Sequence, residues 1–369
     1  MMNDHTSLVR AAIEEAQLDA LLLAAPSNLG YVCGFFANPH ERLIALVVPL
    51  AGTLRLVCPS LEEEAARTAV GGDVELLVWR DEDGPDDALR RALAGTGATI
   101  GIEKQYLSVA NAERAAAAAP SARLDACDDV IVRLRAVKSE DEIAALRRAS
   151  GIVDRVVEHL VALAEPGVTE AELSAEASQQ LRAEGGESLA FEPLVLTGPR
   201  SALPHGHPGA TRLAEGDLLI CDIGVFVDHY AADITRTFVV GGSPDERQRE
   251  IFEVVHEAER AGIEAVRAGV PAHAVDDAAR SVIAEAGYGP RFIHRTGHGL
   301  GLEVHEAPYL TATNAEPLEA GMVVTVEPGI YIEGWGGVRI EDDVVVGEDG
   351  PELLTSAAIG LPAPLGVEA

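Results

Sequence analysis

Residues 218–240 read LLICDIGVFVDHYAADITRTFVV. Two runs rich in Val, Ile and Phe flank a polar break at Asp228 and His229, the pattern of a β-hairpin with a short loop. Asp222 sits in the first run and Asp233 in the second. With the loop centred between Val227 and Asp228, and with no bulge to shift the pairing, the two aspartates are direct cross-strand partners with Cβ atoms roughly 5 Å apart. Two carboxylates at roughly 4 Å repel by about 4 kcal/mol at an effective dielectric near 20. Either one of them is protonated or cations sit between them.

Three further stretches combine polar residues and glycine in a way a plain core does not need. HRTGHGLGLEVHEAP (294–308) holds His294, His298 and His305 among glycines that allow close backbone approach. In MVVTVEPGIYI (322–332), Glu327 ends an apolar strand pattern just before Pro328 and Gly329. In GGVRIEDDVVV (336–346), Arg339 and Glu341 are two apart and share one strand face, with Val338 and Ile340 on the other. Taken singly, each acid reads as a satisfied buried group and each histidine as packing. Taken together, Asp222, Asp233, His298, Glu327 and Glu341 supply four carboxylates and one imidazole. Their charge of -4 balances two divalent ions. Oxygen-rich ligands with one histidine favour a hard or borderline ion, manganese(II) first. Two such ions about 3.5 to 4 Å apart lower the pKa of a bridging water and clamp a carbonyl.

The totals bound the rest. The 369 residues suffice for two domains, and 47% hydrophobic content implies a globular chain. No apolar run spans a bilayer and the N-terminus lacks a signal pattern, so a cytoplasmic enzyme is expected. A net charge of -32 argues against nucleic acid or an anionic membrane as partner. Only two lysines occur, Lys104 and Lys138. An acidic, lysine-poor, alanine-rich chain suggests adaptation to salt or a GC-rich source; activity and folding that peak without added salt would exclude the first. Cys33, Cys58, Cys127 and Cys221 form no C-x-x-C pair and read as buried thiols, with Cys221 facing away from Asp222.

Residues 1–135 alternate helix and strand signals: helices at Leu8–Ala16, Leu61–Val70, Asp86–Ala94 and Val109–Ala119, and strands at Ala20–Ala24, Ile44–Val48, Leu54–Cys58, Glu75–Val78 and Thr99–Glu103. That order implies an α/β domain. A second domain, 136–369, opens near Ser139 with the capping box S-E-D-E. A second box, T-E-A-E at 169–172, starts another helix. Further helices begin around Ser243–Glu246 and span Val275–Ala286, each helix pair followed by strands. EPGVTEAEL (165–173) echoes AGVPAHAV (268–275) with Gly167 and Gly269 offset by 102. This weak repeat suggests two similar halves. No H-E-x-x-H, serine elbow, P-loop or G-x-G-x-x-G is present.

These residues resemble the pita-bread metallopeptidases, in the branch of Xaa-Pro dipeptidases (prolidases) and aminopeptidase P. The likeness rests on LPHGHP (203–208), D-I-G (222–224), YAADITRT (230–237), TGHGLGLEVHEAP (296–308), VEPGIYI (326–332) and GVRIEDDV (337–344), and it extends to NLGYVCGF (28–35) in the leader. It implies an α/β N-terminal domain of creatinase type followed by an α+β pita-bread catalytic domain with an internal pseudo-twofold repeat. It implies a homodimer and a metallopeptidase that cleaves the Xaa-Pro bond, in dipeptides or at peptide N-termini, by a hydroxide bridging two divalent metals. Manganese(II) is the expected metal, with cobalt(II) or zinc(II) as substitutes. Carried over to this chain, Asp222 chelates one ion, Asp233 and Glu341 bridge both, and His298 and Glu327 hold the second. Glu327 also shuttles a proton to the leaving nitrogen. His205, His294 and His305 line the substrate site and stabilise the tetrahedral intermediate, and Arg339 orients Glu341 or a substrate carboxylate. His207 reads as a loop residue and Tyr331 approaches the site. A creatinase-like or ectoine-hydrolase-like amidohydrolase is the alternative reading, although creatinase-type members lack the ligand set. A non-catalytic relative of this fold is a third.

Overall fold

The computed structural model describes residues 2–361. By internal contact the chain divides into two units, Met1–Arg135 and Ala136–Ala369. In the first, helices α1 (Met2–Glu15), α2 (Pro26–Cys33), α3 (Glu63–Val70), α4 (Asp86–Leu93), α5 (Val109–Ala118) and α6 (Asp128–Ala136) alternate with strands β1 (Ala20–Leu23), β2 (Ala45–Pro49), β3 (Leu54–Pro59), β4 (Val74–Trp79), β5 (Thr99–Ile102) and β6 (Arg123–Ala126). The strands form one mixed sheet in the order β4-β3-β2-β1-β5-β6. Leu22, Val47, Val57, Leu77 and Ile100 on the sheet meet Leu89 and Ala92 of α4 in a closed apolar core.

The second unit opens with α7 (Glu140–Leu163) and α8 (Glu170–Ala183), each started by a complete capping box, Ser139 with Glu142 and Thr169 with Glu172. Strands β7 (Ser188–Leu189), β8 (Leu194–Thr197), β9 (Leu218–Val227) and β10 (Tyr230–Val239) follow. Next come α9 (Glu246–Ala265) and α10 (Ala272–Glu285). The remaining strands are β11 (Gly297–Gly299), β12 (Glu306–Leu310), β13 (Val323–Val326), β14 (Gly329–Ile332), β15 (Gly336–Arg339), β16 (Asp342–Val346) and β17 (Pro351–Leu353). A third box, Asp245 with Gln248, starts α9. One sheet runs β10-β9-β7 with β8 also on β9, and another runs β12-β11-β13-β16-β17.

The two halves of this unit repeat in their hydrogen bonds. Before α8, the N–H groups of Gly167, Glu170 and Ala171 donate to Leu213, Thr211 and Gly209. Before α10, those of Gly269, Ala272 and His273 donate to Leu318, Glu316 and Asn314. The offset of 102 read in the sequence therefore marks the same ladder formed twice.

The hairpin β9–β10 is present, but its register differs from the expected one. Val227 pairs with Tyr230, so Asp228 and His229 are both turn residues, at φ 48° and 68°. Two left-handed residues form the tight turn whose twist matches flanking strands. The turn lies one residue further along than expected, so each residue's partner moves by two: Asp222 faces Thr235 and Asp233 faces Gly224. The aspartates are diagonal rather than direct neighbours and still share one face. The other face, with Cys221, Ile223, Val225, Ala232 and Ile234, packs against Val153, Val156, Val157 and Leu160 of α7. All four cysteines are buried free thiols, and burial lifts Cys33 and Cys58 to about 11. Among the described residues no helix is long and apolar enough to cross a membrane.

Candidate metal centre and active site

The site-facing side of β9 and β10 brings Asp222 and Asp233 beside residues from three other segments. Oxygens of Asp222, Asp233 and Glu341 lie within 4.8 Å of one another, and so do ligand atoms of His298, Glu327 and Glu341. A third such group is Asp233, His298 and His305. Nε2 of His298 stands 3.4 Å from Glu327 Oε1 and 4.0 Å from Asp233 Oδ2. All five sequence candidates for metal binding thus meet in one place, with His305 at its edge.

Local structure aims each of them. His298 is the middle residue of β11; its backbone N–H donates to Thr325 Oγ1 at 3.1 Å. Its Nδ1 lies 3.1 Å from the carbonyl of Gly299, which assigns the proton to Nδ1 and leaves the Nε2 lone pair facing the acids. Glu327 follows β13, and its N–H donates to Thr296 O at 2.8 Å. Glu341 lies between β15 and β16 and is held by Thr235, whose hydroxyl donates to Oε2 at 2.6 Å. The same hydroxyl accepts from Arg339 Nε at 3.0 Å, so Arg339 and Glu341 do converge, on Thr235.

Arg339 is 4% exposed: besides Thr235 it donates to Tyr331 Oη at 3.0 Å and to Asp222 Oδ2. It orients Glu341 through Thr235. Tyr331 passes the chain on. His294 Nδ1 is 2.7 Å from the carbonyl of Arg295 and must donate there, so the Tyr331 hydroxyl donates to His294 Nε2 at 2.9 Å. His305 lies edge-on to His298, ring centroids 4.2 Å apart. His205, His294 and His305 line a cavity of about 700 Å³ above the acids, and His207 lines it too, beyond the loop role expected of it. Ala190, Phe191 and Leu194 add an apolar wall that no sequence motif signals.

Burial and mutual repulsion dominate the electrostatics. Desolvation raises the carboxyls of Asp233 and Glu341 well above their usual range, helped by neighbouring acids. It lifts Glu327 to about 7 against the pull of Arg339. Desolvation lowers His298 to about 3 and His294 to about 4, so both rings are neutral at pH 7. Among the described residues, Asp222 Oδ1 and Asp233 Oδ1 are buried with no hydrogen-bond partner. Orphaned carboxylate oxygens beside a neutral imidazole lone pair are what divalent cations require, and the donor set fits them.

The glycines around His298 are required by space. A Cβ on Gly297 would lie 1.9 Å from the carbonyl oxygen of Thr325, a backbone atom that cannot swing aside. Gly297→Ala is expected to cost about 2 to 3 kcal/mol in urea unfolding, since the strand must move. A variant as stable as the parent would contradict this packing.

Sequence reasoning missed the supports of the site. Thr235, Thr296 and Thr325 are each 0% exposed and bind site residues or their backbone. Asp343 accepts from the Asp233 N–H at 3.2 Å and from Ser150 Oγ at 3.3 Å. Threonines within apolar strands are the one signal available, since a hydroxyl there needs a partner.

The sequence profile of metallopeptidase family M24 matches residues 144–348, and that of the creatinase/prolidase N-terminal domain matches residues 6–137. An uncharacterized peptidase of Staphylococcus aureus (strain bovine RF122 / ET3-1) is 38% identical over 344 residues, 93% of this chain and 96% of the relative. The structure of an Xaa-Pro dipeptidase from Bacillus anthracis aligns over 99% of this chain and 100% of its own, with TM-score 0.91 and 32% identity. An X-Pro aminopeptidase from Thermotoga maritima aligns over 97% of this chain and 99% of its own, with TM-score 0.87 and 33% identity. A profile match over more than half of the chain, full-length relatives and a cavity ringed by acids and histidines lead to one assignment: this chain belongs to metallopeptidase family M24, a divalent-metal peptidase with a creatinase-type N-terminal domain and a pita-bread catalytic domain.

Proposed function

We propose that the protein hydrolyses the peptide bond on the amino side of proline, in Xaa-Pro dipeptides or at the N-termini of longer peptides. The observation that carries the reading is the convergence of Asp222, Asp233, His298, Glu327 and Glu341 at the floor of the cavity, with two carboxylate oxygens left without partners. In this reading Asp222, Asp233, His298, Glu327 and Glu341 would together hold two divalent ions. When bound, the ions supply an acidified water and a Lewis acid for the scissile carbonyl.

The chain's own residues do the rest. Thr235 and Arg339 keep Glu341 and Asp222 in position from behind. Glu327 takes a proton from the attacking water at a carboxylate oxygen and returns it to the proline nitrogen as that nitrogen leaves. His305, its ring edge-on to His298, faces the developing oxyanion. His294, held as an acceptor by Tyr331, shapes the wall beside it. The Xaa-Pro bond lacks an N–H, so sites that grip an extended backbone by hydrogen bonds fail on it. An apolar wall of Ala190, Phe191 and Leu194 suits the proline ring instead.

Manganese(II) is the metal of this reading and a homodimer its assembly; metal analysis and sedimentation of the purified protein check each. The deciding assay compares Xaa-Pro, Xaa-Pro-Yaa and Xaa-Ala substrates with manganese and with a chelator. Turnover is expected for the proline substrates alone, with the first two distinguishing dipeptidase from aminopeptidase. Equal cleavage of Xaa-Ala, or turnover that survives chelation, would overturn the reading.

A further inference from the structure

The histidines of the cavity wall lie on segments outside the long strands and helices, where ladder hydrogen bonds are few. Each of the three segments is fastened by a carboxylate–cation pair whose carboxylate is buried. His205 and His207 lie between Thr197 and Gly209. Glu170, 0% exposed at the start of α8, accepts from the Thr197 N–H and the Gly209 N–H, each at 3.0 Å, and so joins the two ends. Arg200 donates Nε to both oxygens of Glu170 at 3.0 Å and reaches the carbonyl of His207 at 2.6 Å.

In the second half Asp276 of α10 is also 0% exposed. It accepts from the Thr296 N–H at 3.2 Å and hydroxyl at 2.7 Å, and binds Arg280 through two parallel hydrogen bonds of 2.9 Å. Arg280 extends to the carbonyls of Phe292 at 3.1 Å and His294 at 2.8 Å. The third pair is Lys138 with Glu306, the residue after His305. Lys138 Nζ donates to Glu306 Oε1 at 2.8 Å and to the carbonyl of Ala136 at 3.1 Å, with both side chains nearly inaccessible. In a chain with two lysines among 28 basic residues, one is spent here.

Buried ion pairs stabilise little compared with apolar side chains of similar size. What they provide is direction: charged, multiply bonded anchors that hold a backbone segment at one distance and angle. Three pairs behind three histidine-bearing segments, none of them among the metal-binding candidates, are not explained by packing alone. We propose that Glu170–Arg200, Asp276–Arg280 and Lys138–Glu306 are positioning pairs that set the histidine wall and so substrate affinity. This rests on the reading of the cavity as the peptide site.

The test uses the full chain with Glu170→Gln, Asp276→Asn and Lys138→Met. Manganese affinity is measured by calorimetry, KM and kcat on an Xaa-Pro dipeptide, and hydrogen exchange over residues 197–209, 292–296 and 300–306. Each variant is expected to lose about 10- to 100-fold in kcat/KM, mostly through KM, with manganese affinity within about threefold of the parent. Exchange should quicken in the tethered segment alone. Unchanged KM in a folded variant, or a loss of manganese affinity that matches the loss of turnover, would overturn the proposal. Should Glu170→Gln fail to fold, Arg200→Lys keeps the charge, loses the fork and is expected to raise KM in the same direction. If the parent binds manganese yet cleaves no Xaa-Pro bond, the functional reading fails. The exchange data then decide the tethers alone: quickening confined to each segment supports them, and unaltered protection refutes them.

Discussion

Asp233→Ala is expected to abolish turnover, by roughly 10³-fold or more, and to empty the metal centre. Asp233 belongs to two of the three ligand groups and is 4% exposed, so its loss removes a buried ligand from both. Metal analysis after dialysis and a rate assay at saturating manganese check the two parts. The metal-free variant should also melt higher than the metal-free parent. In the parent, Asp233 is crowded by Glu341, Asp222 and Asp343, and that crowding disappears with the side chain. A site built for cations destabilises the fold that carries it, so removing one acid trades activity for stability. Full turnover in this variant, or a lower melting temperature without metal, would contradict the account.

The second large effect is on pH. In metal-free protein the carboxyls of Asp233, Glu327 and Glu341 titrate above their unfolded values. The folded state therefore binds more protons than the unfolded chain once the pH passes about 4, and stability falls as the pH rises. Glu327, raised to about 7, contributes about 3 kcal/mol of loss, complete above neutrality. Glu259, lifted to about 9 by burial beside Asp342, adds loss of the same sign at higher pH. Bound cations favour the ionised carboxylates and remove the site's share of this slope. Melting temperatures between pH 5 and 8 should fall in chelator and stay level or rise with manganese. Parallel curves would exclude the shifted carboxyls as the cause.

Much of this was legible in the residues. The capping boxes at Ser139 and Thr169 read true because their chemistry lies within four residues. The site acids and histidines stood out because carboxylates at the ends of apolar strands violate the local pattern. Helix α2 was missed for the opposite reason. Ser27 through Cys33 are all buried, so the helix has no polar face and no period to read. The hairpin was found but its pairing was not, because two non-glycine residues take the left-handed conformation at its turn. Glu170 and Asp276 looked like ordinary helix acids, since nothing near them in the chain records that loops 27 and 20 residues away would close on them.

The turn at Asp228 and His229 also constrains how this chain can vary. Side chains along a strand alternate between site and core, so the two aspartates stay in phase only while the hairpin keeps its parity. One added residue in β10 ahead of Asp233 would send that carboxylate into the apolar layer under α7 and bring Ile234 out toward the metals. Two added residues would restore the phase at the expense of a longer ribbon. Drift in the length of this hairpin is therefore quantised in even steps, and a single-residue insertion acts here as a null allele while leaving every ligand in the sequence.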